Sequence, residues 1–150
     1  MTSIATARSH AEANTEDGTT ASDENANIVR RGYHAFNTAD IELLTELVGD
    51  DCSWHTPGRT SIAGIRKGRD AVFAQFGRYG GETAGSFKAE LQYVLADGDG
   101  RVVSVHRNTG QRNGKHLDVM CYIVFEIENG RVISGKEHFF DLYAWDDFWS

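Results

Sequence analysis

Two periodicities divide the chain. In its first part apolar residues recur with helical spacing: Val29, Gly32, Tyr33 and Phe36 stand at i, i+3, i+4 and i+7, one buried stripe of a helix. That helix is expected to begin near Asp23 to Asn25, where either end residue can cap it. A second helix places Ile41, Leu44, Leu47 and Val48 on one face and stops at Gly49, so the two form a short antiparallel pair. Residues 52–56 read as a brief strand closed by Pro57-Gly58, and residues 59–67 as a loop. A third helix starts at Gly68-Arg69-Asp70, with Asp70 as the expected cap and Val72, Phe73 and Phe76 inward. Gly77, Gly80, Gly81 and Gly85 are expected to break it into a mobile connection.

From Phe87 onward the period falls to two. Phe87, Ala89, Leu91, Tyr93 and Leu95 alternate with more polar neighbours, as in a sheet with one covered face. Residues 97–100 turn the chain into a strand over residues 101–110, and Asn113-Gly114 turns it again. The longest strand-like stretch, residues 115–141, reverses at Asn129-Gly130, a dipeptide that accepts the positive φ angles of a tight hairpin. On its first arm Asp118, Met120 and Tyr122 share one face, and Val119, Cys121 and Ile123 the other. The chain ends in Tyr143, Trp145, Phe148 and Trp149, too apolar to stay in water, and this end is expected to pack on the domain or across a subunit interface.

Helices first and strands later, without β-α-β alternation, predict an α+β fold in which helices cover one face of a curved antiparallel sheet. Such a cone encloses a cavity. A chain of 150 residues is the size of one domain. Residues 1–25 carry one arginine and five acids with little apolar surface, and are expected to be a disordered acidic tail on a folded domain of residues 26–150. The net charge is −7 with no basic stripe, which excludes nucleic acid and anionic membrane as partners. With no long apolar run, no secretory pattern, and Cys52 and Cys121 far apart in sequence, a soluble cytoplasmic protein with reduced thiols is expected.

Three of the six histidines, His55, His106 and His138, fall in predicted strands; His10 is in the tail, His34 on the first helix and His116 at a hairpin start. A strand histidine can be an ordinary half-buried ring. Three on one sheet point instead to proton transfer near neutral pH. Their spacing holds no HxH or HExxH pattern, so no metal is expected. No Gly-x-Ser-x-Gly occurs, Cys121 sits mid-strand among large apolar residues, and the glycine-rich stretch lacks the Gly-Lys-Ser/Thr end of a phosphate cradle. No nucleotide or other cofactor is expected. Asp118 reads either as a general base or as a solvated carboxylate on the outer face.

The strings RRGYHAFNTAD, DDCSWHTPG, KGRDAV and FEIENGRVISGKEHFFDLYAWDDFW, in that order, resemble the SnoaL-like branch of the nuclear-transport-factor-2-like superfamily over about residues 26–150. The resemblance implies a cone-shaped α+β fold, a deep apolar pocket and a homodimer formed through the sheet. Relatives include polyketide cyclases, ketosteroid isomerases, limonene-type epoxide hydrolases and non-enzymatic domains, so the fold does not name the chemistry. Thr56 stands where the steroid isomerases carry their aspartate base, and Cys121 or Tyr122 where they carry an acidic oxyanion donor, which disfavours that route.

Matched to the limonene-type hydrolases strand by strand, His106, Asn108 and His138 fall where those carry an arginine and two aspartates. Of carboxylates near the last strand, where SnoaL-like cyclases carry one, only Asp141 stands out. The matching turns Val119, Cys121, His138 and Phe140 toward the pocket and Asp118 outward. It leaves open whether His55 or the pair Trp54 and Thr56 faces inward, and Tyr33 is assigned to the same pocket. The implied protein is a cofactor-independent acid/base enzyme of isomerase, cyclase or hydrolase type acting on a small hydrophobic molecule. His138 would move the proton, His106 and Asn108 would orient an oxygen, and His55 would assist. The alternatives are a non-catalytic small-molecule-binding module and an assembly domain.

Overall fold

The computed structural model describes residues 20–150; most of the expected acidic tail, residues 1–19, lies outside the described residues. The elements run α1 (Ala21–Thr38), α2 (Ile41–Leu47), β1 (Val48–Thr56), β2 (Gly64–Lys67), α3 (Arg69–Gly81), β3 (Lys88–Ala96), β4 (Arg101–Arg112), β5 (Lys115–Glu128), β6 (Arg131–Phe139) and α4 (Leu142–Trp149). The fold is α+β, as expected, but two features of the sheet differ. Residues 64–67 pair as β2 rather than looping, and β1 runs parallel to β6, so the sheet is mixed. Its order is β2-β1-β6-β5-β4-β3.

Thr20 and Asp23 form a capping box, which carries α1 back to Ala21, ahead of the expected start. Val29 and Tyr33 are buried as their spacing predicts. In α2, Leu44 and Leu47 are buried but Ile41 is exposed, and Val48 already belongs to β1. Helix α3 begins after Gly68 without the Asp70 cap, and Gly77 and Gly80 lie inside it rather than ending it. A helical glycine costs only about 1 kcal/mol, and the buried Val72, Gln75 and Tyr79 hold the element in place.

Helix α1 packs on β3 and β4, α3 on β1 and β2, and α4 on β5 and β6, so all three cover the same face. Trp145, Phe148 and Trp149 of α4 are buried against Ile62, Tyr79, Phe87, Leu117 and Val119. The aromatic end therefore closes its own domain, with Trp145 stacked on Phe139 at 3.8 Å between ring centroids. Among the described residues, no helix is long and apolar enough to cross a membrane.

Two irregularities decide which residues reach the inner face. On β3 the pairing shifts between Leu91 and Tyr93, which flips the strand's phase: Tyr93 and Leu95 become exposed, and Val94 and Ala96 pack inward. On β6 the hairpin starts from the pairs Glu128 with Arg131 and Ile127 with Val132. The next pair is Glu126 with Ser134, so Ile133 is an extra residue.

Candidate functional site

The extra residue on β6 changes the expected site. In an uninterrupted hairpin Cys121 would stand opposite His138; with the bulge it stands opposite Phe139, and Ile123 opposite Glu137. Directly opposed antiparallel residues share a face. Because Cys121 and Ile123 point inward, so do Phe139 and Glu137, and His138 points outward. His138 stacks on Tyr122 across the outer face, with ring centroids 4.8 Å apart, and Phe140 is 63% exposed. The expectation that His138 and Phe140 face the pocket is thus overturned, and Glu137, which sequence reasoning missed, takes the place assigned to His138.

The other assignments divide. On β1, Trp54 and Thr56 point inward and His55 is exposed, which settles that alternative against His55. On β4, His106 and Asn108 point inward, opposite Cys121 and Val119. Val119 and Cys121 are on the inner face as expected, but they are core: Val119 packs under α4, and burial raises the Cys121 thiol far above its ordinary value. Asp118 faces outward and pairs with Arg107 at 2.6 Å, while Asp141 caps α4 by accepting from the Ala144 amide.

Beneath the helices lies a cavity of about 80 Å³. Its walls are mostly apolar and aromatic, and among the described residues its polar lining comes from Tyr33, Trp54, Tyr79, His106, Asn108 and Glu137, with neither lysine nor arginine. Two groups of hydrogen bonds organise that lining.

Glu137, only 4% exposed, is the centre of the first. Its Oε1 accepts from Trp54 Nε1, from Tyr79 OH at 2.8 Å and from Thr56 Oγ1 at 3.0 Å. Gln75 backs this set, its Nε2 donating to the Ile62 carbonyl at 2.7 Å and lying 3.2 Å from Tyr79 OH. Burial pushes the Glu137 carboxyl up from 4.5 to about 7, against the three hydrogen bonds, which favour the ionised form. Glu137 Oε2 accepts no hydrogen bond from the described residues. A proton can therefore be taken up or released there without breaking the set on Oε1.

The second group is on β4. Tyr33 OH lies 2.6 Å from Ser104 Oγ and 2.5 Å from His106 Nδ1. Burial lowers His106 from 6.5 to about 4, so at neutral pH its ring is uncharged. If Ser104 donates to Tyr33 and Tyr33 donates to His106 Nδ1, every hydroxyl proton is used; this assignment leaves the ring proton on Nε2. Two residues along, Asn108 is 1% exposed, and among the described residues neither atom of its amide makes a hydrogen bond of ordinary length, although it lies close enough to His106 to favour that ring's charged form. Among the described residues, no cluster of three or more His, Cys, Asp or Glu is arranged to hold a metal ion.

A cone of helices over a curved sheet, with a carboxylate and polar groups at its base, agrees with the family whose model matches residues 29–135, described as a SnoaL-like domain. The chain belongs to the SnoaL-like family. It shares 63% identity with Bal32a from a soil-derived mobile gene cassette, covering 87% of this chain and all of that one with a TM-score of 0.86. An uncharacterized Mycobacterium tuberculosis protein is 32% identical over 85% of this chain and 98% of its own length. TerC, co-crystallized with polyporic acid, shares the fold of this chain at 18% identity and a TM-score of 0.73, over 83% of this chain and 97% of its own. The α+β fold holds with it, and is shared with an NTF2-like protein of Burkholderia pseudomallei at 22% identity and a TM-score of 0.74, over 85% of this chain and 98% of that one.

Proposed function

We propose that this protein is a cofactor-independent enzyme of cyclase or isomerase type, in which Glu137 moves a proton to or from carbon beside a carbonyl group. One observation carries the reading: a buried carboxyl at the cavity wall, brought to about 7, with one oxygen anchored and the other free. A base near the operating pH combines availability with proton-transfer strength, and such a group contributes about 10²–10⁴-fold. His106 and Asn108, on the far side of β5, supply donors for the carbonyl oxygen as it gains charge. The apolar walls and the lack of a lysine or arginine favour a small, uncharged, largely hydrophobic substrate. Membership of the SnoaL-like family supports the cyclase or isomerase type.

Proton abstraction can be read without the natural substrate. In D₂O the protein should speed loss of the α-proton signal of a small cyclic ketone such as cyclopentanone, with a rate that rises through about pH 7. Glu137→Gln should reduce that rate about 10²–10⁴-fold. Equal exchange by the two proteins would end the proposal.

The homodimer expected through the sheet belongs to the same reading. Tyr122, His138 and Phe140 form an aromatic group on the outer face, supporting a second copy as its occupant. Sedimentation should give a dimer for the native chain and a monomer for Tyr122→Arg. A native chain that sediments as a monomer refutes it.

A further inference from the structure

Among the described residues, the amide of Asn108 is the one polar group of the cavity wall whose donor and acceptor are both buried without a hydrogen bond of ordinary length, its polar neighbour being His106. Leaving such atoms unpaired costs about 1–3 kcal/mol each, so a site that keeps them is matched to something that pairs both. Oδ1 needs a donor and Nδ2 an acceptor, and an amide presents these side by side along one edge. The complementary edge is a carbonyl with an N–H or O–H on the same carbon. A carboxylic acid has that edge only when uncharged, and its anion would enter a cavity with no cation beside Glu137. A cyclic amide has the edge at every working pH.

We infer that the cavity recognises a cis-amide edge, as in a lactam or cyclic imide, through paired hydrogen bonds to Asn108. The inference rests on the reading of this cavity as a substrate site and names the substrate class. The lactam carbonyl lies against Asn108 Nδ2, within reach of the donor two residues earlier on the strand, His106. The lactam N–H donates to Asn108 Oδ1. The apolar remainder of the ring lies among the aromatic walls, with Phe36, Phe76 and Phe87 among them. A carbon beside the carbonyl can then be turned toward Glu137 on the other side of β5.

The probes are 2-pyrrolidinone, a five-membered lactam matched to a small cavity, its N-methyl derivative, which lacks the donor, and cyclobutanecarboxylate, a carboxylate of similar size. Binding to the full chain is followed by titration calorimetry and by the Asn108 side-chain amide signals in ¹⁵N–¹H spectra. 2-Pyrrolidinone should bind about tenfold or more tightly than its N-methyl derivative, the worth of one well-made hydrogen bond, and cyclobutanecarboxylate more weakly than 2-pyrrolidinone. 2-Pyrrolidinone should shift both Asn108 amide protons. Asn108→Leu should remove the preference for the N–H form while still binding the N-methyl compound, and Glu137→Gln should keep the preference. Should Asn108→Leu fail to fold, the native amide shifts and the N-methyl comparison decide by themselves. Equal binding of the two lactams, unmoved Asn108 signals, or a preference lost in Glu137→Gln but kept in Asn108→Leu would each overturn the inference. Because binding is read here and proton exchange above, failure of one leaves the other standing.

Discussion

Gly135 lies directly beneath the indole of Trp54: a Cβ there would overlap Cζ3 and Cε3 of the ring. The two residues are paired across the parallel β1 and β6 strands, and only a hydrogen side chain lets the indole lie flat over β6. Lying flat brings Nε1 to Glu137, two residues further along the strand, while Phe76 meets the ring edge-on at 4.9 Å. Gly135 is thus a positioning residue for the carboxyl.

Gly135→Ala should displace Trp54 and remove a donor that favours the ionised carboxyl. Overpacking of this kind costs about 1–3 kcal/mol in urea unfolding. The Glu137 midpoint, followed by ¹³C spectra of its side chain, should rise above about 7. A midpoint that stays in place would show that Trp54 does not set the acidity of Glu137.

Glu137 and His106 make opposite contributions to stability. The carboxyl has its folded value raised from 4.5 to about 7, so its contribution is present at low pH and is lost as pH rises through that interval. The imidazole has its folded value lowered from 6.5 to about 4, so its contribution is present above 6.5 and is lost as pH falls toward 4. Between about 4.5 and 6.5 the folded state holds the proton on Glu137 and the unfolded state holds it on His106. The counts match, so the two effects cancel in the native chain. With only one of the two groups left, Glu137→Gln should lose stability as pH falls from 6.5 to 4, and His106→Gln as pH rises from 4.5 to 7. Each change should be on the order of 3 kcal/mol in denaturant titrations across pH. Curves parallel to the native one would contradict both assignments.

Tyr33→Phe removes the hydroxyl that joins Ser104 to His106. Leaving His106 Nδ1 without its donor should cost about 1–3 kcal/mol. It should also let the ring proton redistribute between the two nitrogens, seen as averaging of the imidazole ¹⁵N shifts. Retention of a single Nε2–H tautomer in the variant would show that something other than Tyr33 holds the ring.

Deleting Ile133 tests the bulge. The shortened strand pairs Glu126 with Ser134 directly after Ile127 with Val132, so the bulge is removed while Glu137 stays opposite Ile123 on the inner face. The deletion protein should keep a cooperative urea transition and a Glu137 midpoint well above the ordinary 4.5. A midpoint that falls to 4.5 would show that the pairing of Glu137 with Ile123 is not what holds it in the core.

Much of the architecture is legible in local pattern. Helical spacing marks α1 through Val29 and Tyr33, Asn113-Gly114 and Asn129-Gly130 mark the two hairpin turns, and period two separates Val119, Cys121 and Ile123 from Asp118 and Tyr122. These readings need only neighbours a few residues apart, and the order of the strings carries the family with them. His106 is legible as a strand histidine, and Asn108 through the resemblance alone.

What only the tertiary structure decided is the phase of β3 and β6 and the neighbour of β1. A strand alternates with period two, so one inserted residue exchanges its faces, and nothing local in VISGKEHF marks Ile133 as the inserted one. With the bulge, Val132 remains in the core, Trp54 lies over Gly135 and Glu137 meets Trp54, Thr56 and Tyr79. These partners are far from Glu137 in sequence. Whether the last strand offers the cavity a histidine or a carboxyl is therefore settled by long-range packing, beyond the reach of periodicity.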